Sequence, residues 1–344
     1  MSAPPASLGF SMPAEWTPHR ATWIAWPHHK ADWPGRFEPI PWVTGEMVRI
    51  LSRYERVSIL IQDGSVEEEA RGVLQKIGID RKKFEFHRIP TDRVWTRDSG
   101  PIFVRHPSGK RMATHWKFNG WAKYPNHKKD DQVAERVAQA LKLPEYRVTA
   151  DGKDVVMEGG AIDVDGEGSL LCTEECLLSK VQERNPGLGR PGIERVFHDV
   201  LGIRKVVWLG KGIAGDDTHG HVDDLARFFA PGRVLLCEEP NPKDENHRRL
   251  RENRERLKAA GLEVVPLPMP HPIVFDGMRV PASYANFYIA NGQVLVPTFN
   301  DPKDRLALGR IADCFPGREV VGIHCVDFVW GLGTLHCATQ QEPA

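Results

Sequence analysis

No apolar run in this sequence approaches the roughly 20 residues needed to cross a bilayer, and no basic-then-apolar leader occupies residues 1–10. A membrane-spanning or secreted protein is therefore not expected. Neither sign of charge is in excess: 46 Lys and Arg stand against 46 Asp and Glu. That balance offers nucleic acid and anionic membranes no general attraction, so neither is expected as a partner. The basic runs at 81–83 and 247–256 alternate with acids or sit at helix ends, and read as solvated faces. Cysteine is sparse as well: six residues, irregularly spaced, with no Cys-x-x-Cys pair. This argues against a disulfide framework and for a reducing cytoplasm, where a cysteine is either buried filling or a working thiol. Low-complexity tracts and Pro/Ser-rich linkers are missing, which favours one domain over residues 1–344.

What is present is a recurring pattern. An apolar run, a Gly-containing turn, a second apolar run, a helical stretch and a closing strand follow one another. The first unit has strands at 101–104 and 112–118, a helix at 131–141 and a strand at 146–148. The second runs through 160–164, 169–172, a helix near 191–201 and 205–208. The third uses 225–229, 234–237, a helix at 244–260 and 262–267; the fourth uses 286–289, 294–296, 303–314 and 319–323. Asn291-Gly292 and Asp165-Gly166 between alternating apolar residues are hairpin signals. A fifth unit would join the two ends of the sequence, pairing 334–339 with 21–26, followed by a helix at 43–54 and a strand at 57–61. Units of about 60 residues that cannot bury their own apolar faces predict an α/β ring of five ββαβ units. An open α/β sheet with hairpins is the alternative.

Residues 215–224 hold four carboxylates and two imidazoles, a density that repels itself unless a cation or solvent lies among them. Comparable polar residues recur where each unit enters its hairpin: Trp95 and Asp98, then Glu158, then His221 and Asp223, and finally Cys337. In a ring these entrances converge on one pocket. Asp98 and Asp223 suit bidentate pairing with a planar guanidinium. Cys337 supplies a nucleophile, His221 can carry protons near neutral pH, and Glu158 can orient His221 or hold a substrate nitrogen. Trp95 can lie against an alkyl chain or a cation. Taken singly, Asp98 reads as a turn residue, Glu158 as a surface turn and Cys337 as core. His219 and His221 with Asp223 and Asp224 also allow a zinc or iron reading, although no third ligand lies at typical spacing in that segment.

At these positions the sequence resembles agmatine deiminases, within the wider peptidylarginine-deiminase-like, guanidine-modifying superfamily. The resemblance is carried by Met12-Pro13-Ala14-Glu15-Trp16, Ala21-Thr22-Trp23-Ile24-Ala25-Trp26-Pro27 and Trp95-Thr96-Arg97-Asp98-Ser99-Gly100-Pro101. It continues through Asn119-Gly120-Trp121, Glu158-Gly159-Gly160, Gly220-His221-Val222-Asp223-Asp224, Asn286-Phe287-Tyr288 and Leu335-His336-Cys337. It implies a five-bladed α/β propeller of ββαβ units with Cys337 as nucleophile and His221 as general acid/base. Asp98 and Asp223 would lie on the guanidinium, with Glu158 as acidic partner and no metal or organic cofactor. Two departures stand near the site: Gly331-Leu332-Gly333-Thr334 replaces a glycine run with Asn, and His219 stands where Asp or Asn is frequent.

The expected reaction is hydrolysis of agmatine, a small-molecule guanidine, through a covalent thiouronium, in a protein that could form a homodimer or larger homo-oligomer. Deimination of free or peptidyl arginine is the near alternative, with Arg97 or Arg105 answering a carboxylate. A metal-dependent hydrolase is the alternative from another class. For the distal ammonium of agmatine, Glu15, Asp216 and Asp217 are candidates.

Overall fold

The structure, a computed structural model, describes residues 3–344; Met1 and Ser2 of the expected 1–344 domain lie outside the described residues. Four sheets repeat one plan, an antiparallel pair followed by a helix and a third strand parallel to the second. The pairs are Ile102–Arg105 with Arg111–His115, Asp163–Val164 with Ser169–Thr173, Ala226–Ala230 with Arg233–Glu238, and Tyr288–Ala290 with Gln293–Thr298. The returning strands are Glu145–Arg147, Lys205–Leu209, Glu263–Pro268 and Glu319–His324. Helices Val133–Leu141, Gly189–Leu201, Glu245–Ala259 and Asp304–Cys314 make the connections. The mixed α/β pattern expected from the turn signals is therefore present four times over.

A fifth sheet joins the two ends of the sequence. Gln340–Pro343 runs antiparallel to His19–Ala25, placing Trp23 opposite Gln340 and Thr22 opposite Gln341. Helix Ile40–Leu51 leads to Arg56–Leu60, parallel to His19–Ala25. The closing strand is thus displaced from the expected 334–339. Those residues turn on themselves instead, with Ala338 N donating to Thr334 O and Thr339 N to His336 O. The structure also adds helix Gly64–Ile77 and strand Phe84–His87 to this sheet. That helix is capped by Asp63, whose side chain accepts from Ser65 N and Val66 N, yet it buries only Ala70, Val73 and Leu74. So narrow an apolar stripe gives a weak periodic signal.

Strand centres are buried on both faces. Val234, Leu235 and Leu236 are buried in succession, as are Val294, Leu295 and Val296. Each such side chain contributes about 1.5–3 kcal/mol by leaving water, and cutting Leu235 to Ala would cost about 2–5 kcal/mol. The hairpin turn at Asn291-Gly292 needs a left-handed residue, supplied by Gly292 at φ +70°. Asn291 Oδ1 accepts from His19 N at 2.9 Å, tying the fourth sheet to the terminal one. Among the described residues, no helix is long and apolar enough to cross a membrane.

Candidate active site

Single helical turns deliver the candidate residues. Thr96–Ser99 precedes Ile102–Arg105 and carries Asp98; Gly159–Ala161 follows Glu158 and precedes Asp163–Val164. Val222–Asp224, with His221 at its head, leads into Ala226–Ala230. The 334–339 turn carries Cys337 into Gln340–Pro343. A turn of helix at each entrance aims a short side chain away from the strand that follows, which is how residues 239 positions apart come to share one pocket.

Asp98, Glu158, His221, Asp223 and Cys337 are all buried, and they meet. His221 Nδ1 lies 3.9 Å from Asp98 Oδ1, and its Nε2 lies 3.6 Å from Glu158 Oε2. Cys337 Sγ is 3.7 Å from Asp223 Oδ2. Asp98 accepts from Trp121 Nε1 at 2.9 Å and from Gly160 N at 3.0 Å. Gly160 admits these approaches because it has no side chain. A Cβ there would sit 2.6 Å from His221 Nδ1, 2.9 Å from Asp98 Oδ1 and 3.1 Å from Asp223 Oδ2. Both ring nitrogens of His221, Glu158 Oε2 and Asp223 Oδ1 are buried without a hydrogen-bond partner. Unsatisfied buried polar atoms cost about 1–3 kcal/mol each, so four of them around one point mark a place shaped for a ligand.

The charges divide sharply. Burial, with help from Asp223 and Glu158, raises the Asp98 carboxyl to about 6 against the opposing pull of His221. Burial also acts to raise Glu158, but Arg184, 3.1 Å from its Oε1, and His221 outweigh it and hold the carboxyl at about 2. For His221, burial favours the neutral ring; Asp98, Cys176 and Glu158 overcome it, and the imidazole stays protonated well above its ordinary range. Burial and the facing Asp223, Asp224 and Asp98 push the Cys337 thiol well above its ordinary range. Cys337 is therefore a thiol until a cation joins it.

A cleft opens over Cys337, lined by Trp95, Asp98, Trp121, Asp217 and Leu332. Trp95 packs on Trp33 and Phe328 with ring centroids 5.9 and 6.0 Å away and also lines the cleft. Trp121 and Leu332 hold left-handed backbone, φ +57° and +69°, an uncommon conformation for residues with side chains and one that concentrates at functional sites.

Other candidates are placed elsewhere. Glu15 is buried and saturated, so it is not available to a distal ammonium. Its carboxylate accepts from Arg227 Nη2 at 2.9 Å, Arg97 Nη2 at 3.1 Å and Ile289 N at 2.8 Å, and meets His336 Nε2 at 2.8 Å. Arg97 is consumed in that knot, and Arg105 is exposed on its strand beside Ser11, so neither answers a substrate carboxylate. Asp216 accepts from Gly220 N and His221 N at 2.7 and 2.9 Å and serves the loop. Asp217 does reach the cleft, engaged by Lys123 Nζ and, at 2.6 Å, by Tyr124 OH. His219 does not join His221: it adopts φ +67° and lies 3.0 Å from Ser179 Oγ, which dissolves the proposed ligand pair.

Two residues outside the sequence-based site set belong to it by contact. Asn286 Nδ2 donates to Cys337 Sγ at 3.1 Å and to Asp224 Oδ1 at 3.0 Å. Its Oδ1 accepts from Thr334 Oγ1 at 2.7 Å and His336 N at 3.0 Å. Asn286 stands at the entrance to the fourth hairpin, so the periodicity that picked out the others points to it as well. The second is Cys176, buried beside His221 and Glu158, for which the sequence holds no signal.

The chain belongs to the Porphyromonas-type peptidyl-arginine deiminase family, whose profile matches residues 11–343. Among its relatives, the agmatine deiminase of Pseudomonas aeruginosa (strain LESB58) is 34% identical, over 99% of this chain and 97% of its own length. The solved agmatine deiminase of Enterococcus faecalis superposes with a TM-score of 0.92 at 31% identity, covering 100% of this chain and 98% of its own. A Cys-to-Ser form of the C. jejuni agmatine deiminase, solved with substrate bound, gives 0.89 at 29% identity, with 97% and 96% covered.

Proposed function

We propose that the protein is an agmatine deiminase, converting agmatine and water into N-carbamoylputrescine and ammonia. We read its five repeated units as the blades of a five-bladed α/β propeller forming one catalytic domain. The observation that carries this reading is the cup of unpartnered acceptors beside Cys337, with Asp98 and Asp223 placed to take the edges of a flat cation. The relatives' shared activity supports the choice of substrate.

The bound guanidinium offsets the acids that hold Cys337 as a thiol, and the sulfur gives its proton to solvent water in the cleft as the cation settles. The thiolate attacks the guanidinium carbon, forming a C–S bond. His221, already protonated, gives its proton to a nitrogen, and the C–N bond breaks to release ammonia. The remaining thiouronium carbon is attacked by water, whose proton returns to His221. Collapse breaks the C–S bond, whose electrons return to sulfur; the adduct's hydroxyl proton passes to that sulfur, and the ureido product leaves with Cys337 again a thiol. Glu158, pinned by Arg184, keeps the ring oriented, and holding the reactants together supplies much of the rate.

A second reading, deimination of free or peptidyl arginine, is favoured by the family's description and by Arg93 at the cleft rim. Against it, Arg93 is already paired with Asp32 and Asn126. Ammonia release from agmatine, arginine and a peptide ending in arginine decides. Agmatine should lead in kcat/KM by about 100-fold, and a lead by either arginine substrate would overturn the assignment. Alkylation should stop the reaction and a chelator should not; the reverse result would favour metal-dependent hydrolysis.

A further inference from the structure

We propose that Asn286 is a catalytic residue of the deimination: its side-chain amide donates to the Cys337 sulfur whenever that atom carries negative charge. The sulfur does so twice, when the thiolate forms and again when the C–S bond breaks. The inference rests on the deiminase reading of the site. Asn286 Nδ2 lies 3.1 Å from Cys337 Sγ and 3.0 Å from Asp224 Oδ1. Its Oδ1 faces Thr334 Oγ1 at 2.7 Å, His336 N at 3.0 Å and Cys337 N at 3.4 Å. A backbone N–H can only donate, so the atom facing two of them is the amide oxygen. The NH2 end is thereby turned to the sulfur, and a flipped amide would set N–H against N–H.

The sulfur needs such a donor because its surroundings oppose charge on it. Burial does so first, followed by Asp223 and Asp224 from the Val222–Asp224 turn and Asp98 from the Thr96–Ser99 turn. Asp223 Oδ2 is only 3.7 Å from Sγ. These acids suit the guanidinium, so they cannot be given up to help the thiol. A lysine or arginine beside the sulfur would stabilise the thiolate and repel the substrate. A neutral amide resolves the conflict, since it stabilises negative sulfur and leaves the charge of the cation site unchanged.

The donor is also set in advance. Asn286 is fully buried, and its Nδ2 and Oδ1 are both engaged before any substrate arrives. A dipole already fixed needs no reorganisation when charge develops beside it. Because the same amide bonds the turn that carries Cys337, donor and nucleophile are held as one unit.

The test pairs Asn286→Ala with Thr334→Val. Both break the bond between these two side chains, and only the first removes the donor at sulfur. Asn286→Ala, assayed well below its Tm, should lower kcat for agmatine by about 10–100-fold, the worth of one hydrogen bond to a charged group. KM should change by less than about threefold, because the amide acts on sulfur and not on the cation. Thr334→Val, which loosens the same turn, should lose far less kcat. Equal losses in the two variants, or a lower Tm with kcat unchanged, would show a structural role and overturn the proposal. So would a raised KM with kcat unchanged. Should Asn286→Ala fail to fold, NMR of the side-chain amides reads the contact in the wild type, with guanidinium chloride as the probe. The Asn286 Nδ2 signal should move downfield as the ion binds and stay in place in Cys337→Ala. No movement in the wild type, or the same movement in both proteins, refutes the proposal. Absence of ammonia release from any guanidine by the wild type would instead sink the deiminase reading. The NMR comparison needs no turnover, which keeps the two failures apart.

Discussion

In front of Cys337 and behind it, the protein buries two sets of charges built on opposite rules. The front cup of Asp98, Glu158, His221 and Asp223 leaves at least one atom of Glu158, His221 and Asp223 without a partner. In the rear knot, the Glu15 carboxylate alone engages Arg97, Arg227, His336 and the Ile289 amide. The difference is one of purpose. A fully bonded charge network rigidifies its surroundings, and rigid surroundings let neighbouring polar groups stay unsatisfied in fixed places until a ligand arrives. His336, whose Nδ1 lies 2.7 Å from Asp223 Oδ2, joins the two sets, so the frame and the cup share a border.

That contrast can be broken in graded ways. The largest effect belongs to Cys337→Ala, which should cut ammonia release from agmatine by about 10⁴-fold or more while Tm stays close to wild type. Persistent ureido formation by this variant would remove the covalent route. Arg227→Met should do the opposite, lowering unfolding free energy in urea by about 3–5 kcal/mol because it strands two buried carboxylates. A loss below about 1 kcal/mol would mean the knot is not a framework.

Asp98→Asn sits between them. It should raise KM for agmatine by about 10–100-fold, the worth of one charge-assisted contact. Wild-type kcat/KM should fall as pH drops through about 6, because a protonated Asp98 no longer attracts the cation, and the variant should lose that dependence. The stability consequence has a definite sign. Because its native pKa is raised, Asp98 holds a proton more tightly when folded, and its contribution to stability is lost as pH rises through about 6. The variant, lacking that loss, should gain stability relative to wild type between pH 5 and pH 8; an unchanged difference would show that Asp98 is not strained. The smallest expected effect is His219→Asn. Asn tolerates the left-handed backbone better than His, so unfolding measurements should show a change of at most a few tenths of a kcal/mol, with turnover within about twofold. A collapse of activity would restore His219 to the chemistry.

Much of this was legible in residue order. Turn pairs such as Asn291-Gly292 announce hairpins because backbone geometry demands glycine there, and the alternation around them marks strands. The cup residues were legible because each entrance repeats one local structure. Asn286 shares that position but, as a neutral amide, carries no chemical flag until its sulfur contact is seen. The knot was not legible. Glu15 and Arg227 are 212 positions apart, and a buried charge looks in sequence like an exposed one until its partners are known. The misplaced closing strand has a related cause: Thr334 to Thr339 has strand-like composition, but the contacts to Asn286 curl it into a turn.

The pairing of His19–Ala25 with Gln340–Pro343 reaches beyond architecture. The apolar strand that starts this sheet spends nearly all of synthesis with one edge open, an invitation to mispairing that only distant residues can withdraw. Those residues begin three positions after Cys337. A chain cut short of them would keep that edge open, so an incomplete copy is conspicuous to the machinery that removes damaged proteins.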